Sequence, residues 1–416
     1  MRRFLTPLLL FIGVFLAEQL LQEYTFFYQE FDGLFLWSTD YLSQMFRSSL
    51  PLSGIIGDFL TQFFRYRFVA PALSALEVVL VFLLVRSILA RFRMGWDVLA
   101  GFPACAAWLA IAFAPTAKTG VAILLFLIPV FLLSRLLPKR ETRPLKGWAE
   151  VAGTVVLIVG VGLFLSLNPR ISSREKTATL RTAVATSDWD TVLSVATPEA
   201  VQEDRSMLPF ALMALGLKGQ IGDRIFDYNI QSQDDFDMNE QEDSYVSLFF
   251  RGFLYDNLQC PNEAVHNFFQ LATVQRHGQS FLVLRQLVAD HYKQGNFTLA
   301  RKYLAILSKS SCHGRFIRYY EDLLKNGTPQ AADSLEFRKN VPLMSHDPFY
   351  NLFTLDANGF RTQFLIDRVL CTLLIREDLY KFKTLFLSVK DNYPVVPKYY
   401  QRALAMQDPL AGLVGQ

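Results

Sequence analysis

Charge is scarce in this chain. Only 19% of its 416 residues are Asp, Glu, Lys or Arg, against about a quarter in ordinary soluble domains. A wholly soluble, wholly disordered or collagen-like chain is thereby excluded. The formal net charge of +3 is too even for nucleic acid to be the main partner. Reactive patterns are missing as well. The cysteines Cys105, Cys260, Cys312 and Cys371 include no C-x-x-C, which removes zinc and thioredoxin-like readings. The histidines His266, His277, His291, His313 and His346 show no H-E-x-x-H spacing, so no metal is expected. No phosphate-binding G-x-x-x-x-G-K, no G-x-S-x-G and no G-x-G-x-x-G opening a helix occurs, and no cofactor is expected.

The chain has apolar length in abundance, unevenly placed. Up to residue 167 the charges cluster between long apolar runs. From Asn168-Pro169-Arg170 onward they scatter as on a soluble surface. Residues 1–167 therefore read as a transmembrane domain and residues 168–416 as a soluble one. A bilayer core takes roughly 17–25 apolar residues in a helix. Five segments meet or approach that length: Phe4–Leu21, Val69–Leu89, Val98–Ala114, Val121–Leu137 and Ala149–Leu167. With five spans, Arg2 and Arg3, Arg91 and Arg93, and Arg135, Lys139, Arg140, Arg143 and Lys146 share one side, which the positive-inside bias makes cytoplasmic. The odd count then puts residues 168–416 on the periplasmic side of an inner membrane. The first segment starts like a signal peptide, but Phe15, Ala17 and Glu18 offer no small-x-small cleavage site, so it reads as an uncleaved anchor.

The stretch 22–67 is long for a connection and dense in aromatics: Tyr24, Phe26, Phe27, Tyr28, Phe31, Phe35, Trp37, Tyr41 and Phe46. Such rings favour the headgroup level, and Ile55–Phe64 spaces apolar residues for a short helix lying in the interface. Membrane lipids are the expected surroundings. The same stretch carries Glu30, Asp32, Asp40 and Asp58. An acid in the first outer loop resembles the catalytic or metal-binding acid of polytopic glycosyltransferases that use lipid-linked sugars, although those enzymes have many more spans. Glu77 lies inside the second span, where a charge is expensive unless paired or protonated. It reads as a structural residue near the outer interface, or as a binding site.

Beyond residue 171 the apolar positions recur at three and four, so the domain is expected to be almost entirely helical. LVADHYKQGNFTLARKYL (287–304) contains a helix ending at Tyr292-Lys293-Gln294, a turn at Gly295-Asn296, and a second helix opened by Phe297, Ala300 and Tyr303. This resembles the tetratricopeptide repeat, in which a small residue and an aromatic flank the turn and an Ala follows. Gly252, Tyr255, Ala264 and Phe268 match the same positions one repeat earlier. Asp188-Trp189, Gly219 and Glu377-Asp378-Leu379 sit at turn positions of further, degenerate copies. The resemblance implies an α-solenoid of helix pairs with a concave groove for a protein or peptide. The whole chain is similar to uncharacterised inner-membrane proteins of Bacteroidota, whose N-terminal spans include a segment like GDFLTQFF (57–64). That likeness implies architecture and location only.

Two stretches interrupt the repeats. Gln231–Asp243 is acidic. Asp235-x-Asp237-x-Asn239 starts like a calcium loop, but Gly at the sixth position and Glu at the twelfth are absent, so a solvated loop is expected. Asn326–Phe360 reads as irregular connection with one short helix. The three cysteines of the soluble half allow one disulfide on an oxidising side or three free thiols. The functional expectation is a non-enzymatic scaffold that docks an envelope protein in its groove. The alternatives are a membrane transferase acting on a lipid-linked substrate through Asp32 or Asp40 and, third, a transport-complex subunit using Glu77.

Overall fold

The computed structural model describes residues 2–92, 97–138, 147–230, 235–236, 244–275, 280–326, 348–357 and 362–406. Arg93, Lys139, Arg140, Arg143, Lys146, His277, His346, all of the acidic run 231–243 except residues 235–236, and most of 326–360 lie outside them. Among the described residues the chain is all helical, without strands. By internal packing it forms two compact units. Unit 1 holds residues 1–182, 280–282 and 305–319; unit 2 holds 183–279, 283–304 and 320–416.

Unit 1 begins with α1 (Arg2–Leu21), α2 (Glu23–Asp32), α3 (Thr39–Phe46), α4 (Pro51–Thr61) and α5 (Val69–Leu89). It continues with α6 (Asp97–Phe113), α7 (Ala117–Ser134), α8 (Gly147–Ser166) and most of α9 (Pro169–Ala185). Long apolar runs become helices because a backbone removed from water must satisfy its own N–H and C=O groups. Helix α5 packs against α1, α6 and α7, and α8 closes on α1 and α6. Leu10, Val14, Val78, Phe82, Ala104 and Trp108 fill the core between them. The opposite faces carry exposed apolar side chains, among them Leu8, Ile12 and Leu16 on α1, Phe126 and Leu133 on α7, and Val156 and Leu163 on α8.

Among the described residues, four helices have the length and hydropathy to cross a membrane: Phe4–Leu21, Val69–Phe92, Ala117–Ser134 and Trp148–Ser166. The third of the five expected spans corresponds to α6, an apolar helix of 17 residues that falls short of the others. Several rings of the 22–67 stretch are internal rather than at a surface. Phe26 meets Phe64 edge-on, and Phe35 is wrapped by Trp37, Tyr41 and Phe59. Trp37 and Phe46 remain exposed.

Unit 2 contains α10 (Trp189–Val195), α11 (Pro198–Glu203), α12 (Leu208–Leu217), α13 (Ile221–Arg224), α14 (Tyr245–Asn257) and α15 (Pro261–Val274). Most of α16 (Phe281–Lys293) and α17 (Phe297–Leu307) and the second half of α18 (Gly314–Lys325) follow in sequence, the remainder belonging to unit 1. The last elements are α19 (Pro348–Ala357), α20 (Gln363–Ile375), α21 (Leu379–Val389) and α22 (Lys398–Ala405).

Among the described residues five helices end in one and the same way. Ser187, Gly219, Gln259, Gly295 and Glu377 all have φ between 58° and 71°. In each case the following N–H reaches back to a carbonyl five residues earlier: Asp188 to Ala183, Gln220 to Leu215, Cys260 to Tyr255, Asn296 to His291 and Asp378 to Leu373, at 2.8–3.0 Å. This is the Schellman termination, which satisfies the last free carbonyls of a helix and reverses the chain. Asp188 and Asp378 then cap the next helix by accepting the N–H of Thr191 and Lys381. Where the paired helices α14 and α15 cross, Gly252 faces Phe268 so closely that a Cβ would stand 2.7 Å from the ring. Ala264 and Ala300 are fully buried, Tyr292 meets Phe297, and His291 stacks on Tyr303.

Two opposite stability changes follow. Gly252→Ala should lower the thermal midpoint, because overpacking a filled contact costs about 1–3 kcal/mol. Ser187→Gly, Gln259→Gly and Glu377→Gly should each raise it, by up to about 1 kcal/mol, since an L side chain in the left-handed region is strained. Thermal melts of the purified full chain would check both signs.

Candidate functional site

Unit 1 collects charged side chains in its interior, and their partners come from distant parts of the chain. Glu18, near the end of α1, accepts hydrogen bonds from Trp108 Nε1 and Gln22 Nε2, both at 2.7 Å. Arg174 of α9 donates to Gln22 Oε1 and to the carbonyls of Ala112 and Phe113. The chain breaks helix at Gln22 and resumes as α2, whose first N–H groups have no intrahelical acceptor. Glu175 supplies one: it accepts from Tyr24 N at 2.7 Å, Thr25 N at 2.9 Å and Thr25 Oγ1 at 2.6 Å. A carboxylate also suits the positive end of the α2 dipole.

At the other end of α2 lies the second cluster. Glu30 Oε1 and His313 Nε2 are 3.2 Å apart, and both side chains are about 4% exposed. His313 stacks on Phe281 with centroids 3.5 Å apart, and Phe281 packs edge-on to Phe31. The segment bearing His313 is held by backbone and side-chain bonds. Trp37 N donates to Lys309 O at 2.9 Å, Trp37 Nε1 to Ser311 Oγ at 2.7 Å, and Ser311 N to Gln62 Oε1 at 3.3 Å. Arg65 donates to the Cys312 carbonyl, and Phe281 N to Gly33 O at 3.1 Å.

Burial pushes the Glu30 carboxyl up to about 7, with the charge of Arg65 opposing it. Burial pushes the His313 imidazole down to about 3, and here Arg65 acts in the same direction. Near neutrality the ring is therefore neutral, the carboxyl stands between its two forms, and a proton bound by the pair rests on Glu30. The Cys312 thiol beside it is raised, chiefly by burial, which makes it a poor nucleophile. None of the four cysteines is in a disulfide.

The expected site residues are dispersed. Asp32 is half-buried at the end of α2, and Asp40 is exposed in the first turn of α3. Asp58 pairs with Lys118 at 2.8 Å and accepts from Tyr41 OH at 3.0 Å. Glu77 is buried on α5 against α7. Among the described residues no three His, Cys, Asp or Glu side chains converge as metal ligands. Glu18, Arg65, Trp108, Arg174, Glu175 and His313 were not singled out as partners by the sequence. The one available hint was an acid, Glu18, closing an apolar run.

Among the described residues, four apolar helices of crossing length and an all-helical remainder define a membrane-associated helical protein. The chain belongs to a family of unknown function, DUF6057, whose model matches residues 1–169 and 116–408. No curated protein and no solved structure gives a significant match.

The paired shifts set opposing pH slopes. A carboxyl raised when folded contributes stability below its unfolded value, lost as pH rises from about 4.5 to about 7. An imidazole lowered when folded contributes stability above its unfolded value of 6.5, lost as pH falls toward about 3. The slopes offset each other between about 4.5 and 6.5. Glu30→Gln should leave a melting temperature that rises with pH across that window, and His313→Asn one that falls. Melting curves of both variants in detergent would test the pair.

Proposed function

We propose that the chain is a multi-pass inner-membrane scaffold whose second unit is a tetratricopeptide-like array that docks an envelope protein in its groove. The observation that carries this reading is the recurrence of one helix-ending turn at residues 187, 219, 259, 295 and 377. Equivalent turns separated by 32, 40 and 36 residues and then 82 suit stacked helix pairs, with a pair between the last two. Gly252, Tyr255, Ala264 and Phe268, and Tyr292, Gly295, Phe297, Ala300 and Tyr303, take the small and aromatic places of two such pairs. Exposed aromatic side chains at Phe269, Phe353 and Tyr380 offer apolar contact area on unit 2. Helix α6 serves as the fifth span in this reading, since a helix packed among others needs less lipid-facing length. Five spans and the basic loops favour a periplasmic unit 2 in this reading. The likeness to inner-membrane proteins of Bacteroidota supports the location. The exposed rings Trp37 and Phe46 suit contact with membrane lipids.

Two measurements test this. A reporter active only in the periplasm, fused at the C-terminus, is expected to be active; a silent fusion that becomes active in the cytoplasmic format removes the orientation. Photo-crosslinking residues placed at Phe269, Phe353 and Tyr380 in the full-length protein in native membranes are expected to give one discrete protein adduct. Absence of any adduct, with loss of lipid-linked product on Asp32→Asn or Asp40→Asn, would favour the transferase reading instead.

A further inference from the structure

We propose that Glu77 is a proton-binding site inside the membrane bundle, and that its carboxyl is open to modification by an apolar carbodiimide. Glu77 is 4% exposed, and its Oε1 is buried without a hydrogen-bond partner. It stands eight residues into α5, roughly 12 Å along the axis from the start of that helix. The carboxyl lies flat on Gly120, in the first turns of α7, so closely that a Cβ there would overlap it. A residue with a side chain at 120 would displace the carboxyl, so the bare Cα is what lets it sit between α5 and α7.

The charged groups on the surrounding helices are committed elsewhere. On α7, Lys118 pairs with Asp58, whose second oxygen takes the Tyr41 hydroxyl. On α5 itself, Arg86 pairs with Asp97 of α6 at 2.9 Å, and Asp97 also accepts from Thr6 of α1. Glu18 of α1 is held by Trp108 and Gln22. Arg65, in the turn before α5, donates to the Cys312 carbonyl. No backbone N–H of the first turn of α7 donates to Glu77 among the described residues. A carboxylate left alone in an apolar bundle is costly, and a bound proton removes that cost by cancelling the charge. Among the buried acids of unit 1, Glu18 and Asp97 have built-in partners and Glu77 does not. A proton taken up there is a change of one charge within the bundle, which makes α5 and α7 the elements that would feel it.

Dicyclohexylcarbodiimide reports on such a group because it reacts with a protonated acid. The acid's proton passes to a carbodiimide nitrogen while its oxygen adds to the central carbon. The acyl group then shifts from oxygen to nitrogen, and nothing leaves. The full chain in lipid vesicles, treated with this reagent and mapped by mass spectrometry, should carry its main adduct within the apolar helices at Glu77. Labelling at Glu18 should be about tenfold lower, because both its oxygens are already held by Trp108 and Gln22. The Glu77 yield should fall as pH is raised from about 6 to about 9, sodium ions should not protect it, and Gly120→Ala should reduce it. Glu77→Gln should abolish the adduct; if that variant does not fold, the site-resolved map of the unmutated chain decides alone. An unlabelled Glu77 at about pH 6, in a preparation whose denatured chain labels, would overturn the proposal. Protection by sodium at fixed pH would also overturn it, in favour of a metal-cation site.

Discussion

A carboxylate taken out of water needs a partner, and much of unit 1 is arranged around that requirement. Glu18 draws Trp108 of α6 and Gln22 to the end of α1, and Gln22 in turn holds Arg174 of α9. Asp97 ties α6 to α5 through Arg86 and to α1 through Thr6. Glu175 takes the place of a local N-cap for α2. Removing one partner from such a pair strands the other, which costs more than the pair itself contributes. The apolar core between α1, α5, α6 and α8 supplies most of the burial. The paired charges decide which helix faces which, because apolar side chains alone would tolerate several rotations about each axis.

Unit 2 is governed by a backbone constraint instead. A helix that must turn back on itself leaves free carbonyls, and the repeated Schellman turn satisfies them at five places. Glycine meets the required backbone angle without strain at residues 219 and 295, whereas Ser187, Gln259 and Glu377 adopt it despite their side chains. The strain is tolerated because the helices on either side are packed, as the burial of Ala183, Leu258 and Leu373 beside these turns shows.

This contrast explains what could be read in advance. The apolar runs were legible because each is a property of consecutive residues, and four of them are helices of crossing length. The turn at Gly295 was legible because glycine advertises it; the equivalent turns at Ser187, Gln259 and Glu377 were found only through their neighbours' spacing. Pairings across long separations were not legible at all. Thr25 and Glu175 are 150 residues apart, and Arg65 and Cys312 are 247 apart. Nothing local to His313 says that its ring will lie against Phe281 and face Glu30. The aromatic stretch 22–67 suggested a membrane surface, yet Phe26, Phe31 and Phe35 are buried because neighbouring rings offer each an edge-on contact.

The inclusion of residues 280–282 and 305–319 in unit 1 has a consequence for the order in which the protein is made. A chain emerges from the ribosome N-terminus first, and its early helices enter the membrane before later ones exist. Helices α1 to α8 are all synthesised before residue 167, but Glu30 cannot meet His313, nor Trp37 meet Lys309 and Ser311, until nearly as much chain again has been added. For that interval the 22–67 helices wait with polar groups unmatched and rings uncovered. Completion of the first unit is thus timed by translation of the second.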